Sequence, residues 1–241
     1  PLIDLSDKLD PENLTSPQAV KAAREVTQAF QERGPAEGLF PYPYQINGIA
    51  FAKLSGWRAL IGDAMGLGKT IQGLGPTWLR NVRHFSNRDT SQGGQRVEII
   101  VLEKGRMPPK GFKGVAITGW PFIRRHADEL IKQGFKYMTM DEAHYGKAGN
   151  ATQQGRSMIK LADAIPHVVL LTGTPIKNAV SELWPLLSSL QPDVWGKDKA
   201  DFRRKYSEVM GSGRRITETG VNRERVAELK ERLSCTMIRR L

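Results

Sequence analysis

The stretch "GDAMGLGKTIQGLGPTWLR" (residues 62–80) decides how the rest of the chain is read. The apolar run "ALI" leads into it, and its first half is a glycine-rich turn that hands over to a Lys-Thr pair at a helix start. Gly66 and Gly68 let backbone N–H groups approach phosphate oxygens with no Cβ in the way, and a helix N-terminus adds positive potential there. Lys69 then offers a point charge for β- and γ-phosphates, and Thr70 a hydroxyl for Mg²⁺. The strict phosphate-loop pattern has glycine where this chain has Asp63, so an ordinary glycine-rich turn is the competing reading. The second half also departs from a plain loop and helix, because Gly73, Gly75 and Pro76 meet the helix almost at once.

Working outward, the 241 residues fit one large domain or two small ones, with 39% hydrophobic and 25% charged residues. No apolar run of ~18 residues occurs and the first residues lack a signal-peptide pattern, so the sequence predicts no membrane partner and an intracellular setting, cytoplasm or nucleus. One cysteine, Cys235, and four scattered histidines leave no disulfide framework and no structural zinc site. The net charge of +11 points to a polyanionic partner such as nucleic acid. Residues 197–241 hold 13 Lys and Arg against 7 Asp and Glu, so the excess is concentrated there.

Ser16-Pro17 predicts a leading helix that ends at Gly34-Pro35, with Val20, Ala23, Val26 and Phe30 on one face. Pro41 and Pro43 force an extended approach to a second helix over 44–54. The runs "ALIGD", "VEIIVL", "VAITGW", "YMTMDE" and "HVVLLTG" are strand-like and mostly alternate with helical spacing, which predicts an α/β domain with a mostly parallel sheet. Pro121 opens a helix ending at Gly134; Asn178 caps one that Pro185 should kink; and 222–240 forms a last helix with Val226, Leu229, Leu233 and Met237 in a stripe.

Two further motifs fall at strand ends. "YMTMDEAH" ends a strand in adjacent carboxylates: Asp141 to hold Mg²⁺, Glu142 to orient and deprotonate an attacking water. A solvated acidic turn is the alternative taken alone, and the upstream "GLGKT" weighs against it. "LLTGTPIKN" ends the next strand, where Thr172, Gly173 and Thr174 could sense γ-phosphate through His144.

The series "PYQINGIAFA", "GDAMGLGKTIQ", "VAITGW", "MDEAHYGKAGN", "VVLLTGTPIKNAVSELWPLLSSLQPDVWG" and "ERLSCTMIRRL" resembles, in order, the first RecA-like lobe of Swi/Snf-type superfamily-two helicases. The stretch before "ELKERLSCTMIRRL" is similar to the annealing-helicase-like subgroup. The resemblance implies a P-loop NTPase lobe over 39–241 behind a helical extension at 1–38, with helices on both faces of the sheet. It implies ATP and Mg²⁺ as ligands, double-stranded or branched DNA as partner, and a second RecA-like lobe outside this chain for efficient hydrolysis. Gln45 then matches the adenine-reading glutamine, with Tyr44 beside it; Asp63, Met65, Gly66, Leu67, Gly68, Lys69 and Thr70 form the phosphate loop. Thr118, Gly119 and Trp120 match a DNA-backbone contact, with tyrosine usual at Trp120, and Arg239 and Arg240, which match the arginine pair closing the lobe, are implied as further DNA-binding residues. Ala64 stands where an acidic residue is usual. Between Gly75 and Pro76 the family has a helix end and a strand, on the order of 20 residues: the chain is internally shortened, "VEIIVL" takes that place, or residues are missing from the sequence. A non-hydrolysing DNA- or protein-binding module and a restriction-type translocase subunit are the other functional readings.

Overall fold

The computed structural model describes residues 16–33, 40–75, 98–196, 198–211 and 217–240. The Gly75-Pro76 junction and "PTWLRNVRHF" therefore lie outside the described residues, apart from Gly75 itself.

Helix α1 (Pro17–Arg33) is capped as expected, Ser16 Oγ accepting from the Ala19 N–H at 3.2 Å. Its buried stripe is Ala19, Ala22, Val26 and Phe30; Val20 instead faces solvent, because the helix is rotated to bring small alanines against its neighbour. That neighbour is α2 (Pro43–Leu54), whose Ile46, Ile49 and Ala50 complete the shared core. Strand β1 (Arg58–Ile61) follows, then the short helix α3 (Lys69–Gly73). Next come β2 (Glu98–Leu102), β3 (Gly114–Thr118), α4 (Trp120–Lys132), β4 (Tyr137–Met140), α5 (Gln153–Ala164) and β5 (His167–Leu171). All five expected strands form, and every pairing among them is parallel.

The main sheet has the order β4-β5-β1-β8, β8 being Met237–Ile238, with β2 and β3 paired separately. Alternation along β1 and β5 builds two cores at once. Leu60, Val168 and Leu170 point into a large core with Leu130 of α4, Met158 and Leu161 of α5, and the helices that follow. Ala59, Ile61, Val169 and Leu171 point the other way, onto Ala52 of α2. Helices thus cover both faces, and the fold is the α/β lobe with a parallel sheet that the sequence implied.

Helix α6 (Trp184–Leu190) corrects one expectation. Asn178 does not cap it; a 3₁₀ turn (Val180–Glu182) intervenes, and Pro185 sits in the first helical turn, where its missing N–H has no intrahelical acceptor to lose, so it starts the helix rather than kinking it. After α7 (Pro192–Trp195) and α8 (Lys199–Tyr206) comes a hairpin of β6 (Ser207–Met210) and β7 (Thr217–Val221). The expected last helix over 222–240 is also corrected: α9 (Val226–Ser234) stops at Ser234, and β8 (Met237–Ile238) pairs parallel to Leu60 and Ile61. Edge pairing to β1 satisfies backbone groups that a longer helix would have left facing the sheet. Near the chain's end Glu228 pairs with Lys205, Arg225 and Arg232, and Lys205 foremost holds the Glu228 carboxyl down to about 2.

Below the sheet, Arg58 donates to the carbonyls of Ile165 (3.0 Å), Pro166 (3.2 Å), Ala162 (3.0 Å), Ser189 (2.6 Å) and Leu190. Apart from Pro166, which follows α5, these are carbonyls at the C-terminal ends of α5 and α6 that have no intrahelical donors, so one guanidinium closes two helices against β1. Burial pulls its proton affinity below the usual arginine range. Arg58→Ala is expected to cost roughly 3 kcal/mol of unfolding free energy, with Arg58→Lys recovering little of it because an ammonium cannot serve both helix ends. Denaturant unfolding measures both variants, and a change below ~0.5 kcal/mol, the usual range of a neutral surface substitution, would contradict the assignment.

Candidate nucleotide site

The C-terminal ends of β1, β4 and β5 open on one edge of the sheet, and the three sequence motifs follow those three ends. Because adjacent parallel strands end side by side, residues far apart in sequence meet there.

After β1 the chain keeps the ladder for two more rungs, Gly62 N–H donating to Ile238 O (2.7 Å) and Ala64 N–H to Arg240 O (2.8 Å), before turning through Met65–Gly68. Gly66 and Gly68 have φ of 87° and 64°, the left-handed region that favours glycine. At Gly68 a Cβ would also lie 2.3 Å from Gln45 Nε2. Lys69 Nζ donates to the loop's own carbonyls, Asp63 O and Ala64 O, both at 3.0 Å. Met65, 79% exposed, caps the outside of the loop.

Asp63 is fully buried, and its carboxylate accepts from the Arg240 N–H (3.0 Å), Arg240 Nε (3.1 Å), Arg240 Nη2 (2.8 Å) and Gln72 Nε2 (2.9 Å). The residue that breaks the glycine pattern thus holds the loop from behind, with its charge paired and its lone pairs satisfied. Gln72, itself fully buried, is a site residue that the sequence reading did not single out; "GKTIQ" offered no sign that its side chain turns inward.

Gln45 bridges the turn before α2 and the glycine-rich loop: its Oε1 accepts from the Tyr42 N–H (2.9 Å), and its Nε2 donates to Leu67 O (3.3 Å). Tyr44 stacks on Tyr42 with centroids 5.7 Å apart.

At the end of β4, Asp141 Oδ2 lies 3.5 Å from Thr70 Oγ1, while Oδ1 accepts from the Glu142 N–H at 2.8 Å. Glu142 has φ 50°, ψ 44°. In an extended strand successive side chains point to opposite faces; the left-handed turn breaks that alternation and brings two adjacent carboxylates to one edge. Glu142 Oε2 is 3.0 Å from His144 Nδ1, and His144 Nδ1 is 3.4 Å from Thr172 Oγ1. Thr172 Oγ1 also accepts from the Thr174 N–H at 3.1 Å, closing the turn after β5. A Cβ on Gly173 would come within 3.1 Å of Met65 and 3.7 Å of Lys69 Nζ, so this turn packs directly on the glycine-rich loop. Lys147 and Glu182, paired at 3.2 Å, join the turns after β4 and β5 from outside, Glu182 also accepting from the Lys177 N–H (2.7 Å). Burial lowers the Lys147 ammonium's proton affinity, and Glu182 partly restores it.

Thr118 turns back to Leu102 O (3.3 Å), and Gly119 precedes the first turn of α4. Trp120, half-buried, donates its indole N–H to Asp141 O (3.2 Å) and meets Tyr145 edge-on, so the 118–120 segment touches the acidic motif. Arg239 is half-buried, whereas the Arg240 side chain is only 11% exposed and engaged with Asp63.

A Thr70 hydroxyl facing the Asp141 carboxylate is a pair of hard oxygen donors, the chemistry Mg²⁺ takes. Gly68→Ala should cost about 1–2 kcal/mol of unfolding free energy from the left-handed backbone alone. It should also displace Gln45; denaturant unfolding and nucleotide binding report the two effects, and an unchanged pair of values would contradict this loop geometry.

Sequence comparison adds an independent finding. The SNF2-related domain matches residues 109–241. The human DNA annealing helicase and endonuclease ZRANB3 is 29% identical over 221 residues, covering 83% of this chain and 20% of that protein. Chromodomain-helicase-DNA-binding protein 8 of Xenopus tropicalis is 29% identical over 241 residues, covering 82% of this chain and 10% of that protein. The ISWI chromatin-remodeling complex ATPase ISW1 of Saccharomyces cerevisiae is 28% identical over 198 residues, covering 68% and 17%. The chain therefore spans a fifth or less of these relatives' length. Since the matched domain takes in more than half of the chain, including Asp141, Glu142, Thr172 and Arg240, the chain belongs to the SNF2-related domain family.

Proposed function

We propose that this chain is the ATP-binding and hydrolysing lobe of a DNA-dependent ATPase that remodels DNA or protein-DNA complexes, with residues 39–241 as the lobe and α1 as part of an extension. The observation that carries the reading is the continuous line of contacts Thr70–Asp141–Glu142–His144–Thr172 across three strand ends beside Lys69. A solvated acidic turn has no reason to meet a phosphate-loop threonine on one side and a histidine-threonine relay on the other.

In this reading the loop amides and Lys69 bind the triphosphate, and Gln45 with Tyr44 reads the adenine. Thr70 and Asp141 hold Mg²⁺, which when bound neutralises charge on the phosphate oxygens. Glu142 orients the attacking water and accepts its proton, the neighbouring His144 fixing which way the carboxylate points. His144 and Thr172 report the state of that carboxylate to the turn at 172–174. Duplex or branched DNA is the proposed partner, on the strength of the net charge of +11 and of relatives whose names include DNA annealing helicase and DNA-binding protein. The 118–120 segment is its proposed contact, and the indole bond to Asp141 O gives that segment a route to the metal-holding residue. A second RecA-like lobe would complete the catalytic surface, and the setting is intracellular.

Joined to such a second lobe, Lys69→Ala and Glu142→Gln are each expected to lower DNA-stimulated ATP turnover by at least ~100-fold, the usual contribution of a positioned general base or phosphate cation. Glu142→Gln should still bind ATP, whereas Lys69→Ala should not. Turnover retained in both variants would overturn the assigned roles.

A further inference from the structure

Arg240 touches both ends of the proposed nucleotide site. Its Nε and Nη2 grip Asp63 at 3.1 and 2.8 Å, and Nη2 also donates to Gln72 Oε1 at 2.7 Å. Nη1 donates to the Tyr44 carbonyl, and the guanidinium carbon lies 5.3 Å from the centre of the Tyr44 ring. Asp63 begins the phosphate loop; Tyr44 precedes Gln45 on the base side. A planar guanidinium with a fixed fork of donors can satisfy the carboxylate, the amide oxygen and the carbonyl at once, and fixes their spacing in doing so.

The packing around it is made to measure. A Cβ on Gly48 of α2 would fall 1.8 Å from Gln72 Oε1 and 2.8 Å from Arg240 Nη2, so the knot forms only because α2 has no side chain there. Arg240 is itself placed by the ladder beside β1, through Ile238 O and its own backbone O, while its N–H donates to Asp63 Oδ1.

We propose that Arg240 is a positioning residue for the nucleotide: it ties the phosphate loop to the base-side turn, so that affinity for ATP depends on residues 237–240 being seated beside β1. This rests on the reading of the site as an ATP site. It assigns Arg240 work inside the lobe, distinct from the DNA contact that the family resemblance implied.

The test is equilibrium binding of a fluorescent ATP analogue with Mg²⁺ to the chain, and of inorganic tripolyphosphate by competition against it. Arg240→Lys keeps a cation for Asp63 but cannot also reach Gln72 and Tyr44. It should weaken the ATP analogue about tenfold, the equivalent of one charge-assisted hydrogen bond, and tripolyphosphate much less, because tripolyphosphate uses the loop alone. Gly48→Ala, which favours the helix it sits in, should produce the same selective loss by pushing the knot apart. Wild-type affinity in both variants would overturn the proposal, as would equal losses for the two ligands, or a loss of DNA binding with nucleotide binding unchanged. A parent chain that binds neither ligand would remove the ATP reading itself and this inference with it, an outcome distinct from parent binding that the variants leave intact.

Discussion

A carboxylate with no exposure to solvent needs a partner, and Asp63 has one in Arg240. Leaving either charge buried alone would cost several kcal/mol, so the segment at 237–240 and the first turn of the glycine-rich loop are obliged to stay together. That obligation explains why β8 exists at all: two residues make a poor strand by themselves, but the ladder they continue leads straight to the ion pair. It also makes the glycine-rich loop a surface draped over a fixed anchor rather than a free turn.

From that anchor the site follows by geometry. β1 lies between β5 and β8, and β5 lies between β1 and β4, so the three motif-bearing strand ends fall on one edge. Both faces of the strands are covered by apolar side chains, which leaves polar chemistry only at their ends. Each motif then adds one kind of group: amides and a cation after β1, carboxylates after β4, a hydroxyl turn after β5. Thr70 and His144 tie the acidic turn to its two neighbours by hydrogen-bonding contacts, and the close approach at Gly173 packs the turn after β5 on the loop after β1.

The strands were legible in the sequence because parallel, doubly covered strands are short continuous apolar runs, and "HVVLLTG" or "ALIGD" fit little else. The loop residues were legible because glycine spacing before Lys-Thr has a mechanical reason. What escaped was contact between distant segments. Arg240 and Asp63 are separated by 177 positions, and nothing local to either indicates the other. The helix stripe through Leu233 and Met237 was misleading because a four-residue spacing satisfies a helix and equally allows a turn at 235–236 followed by a strand; the sheet edge decided it. Pro185 was misplaced for a similar reason, since its effect depends on whether the helix has begun, and Val180–Glu182 forms a separate turn.

The central claim is that three strand ends form one Mg²⁺-ATP site. Amide hydrogen exchange of the chain with and without Mg²⁺-ATP tests it most directly. Concerted slowing at 63–70, 141–144 and 172–174 is the predicted result, because a ligand seated between them would stabilise all three. Slowing confined to the loop, or absent from all three segments at saturating nucleotide, would contradict it.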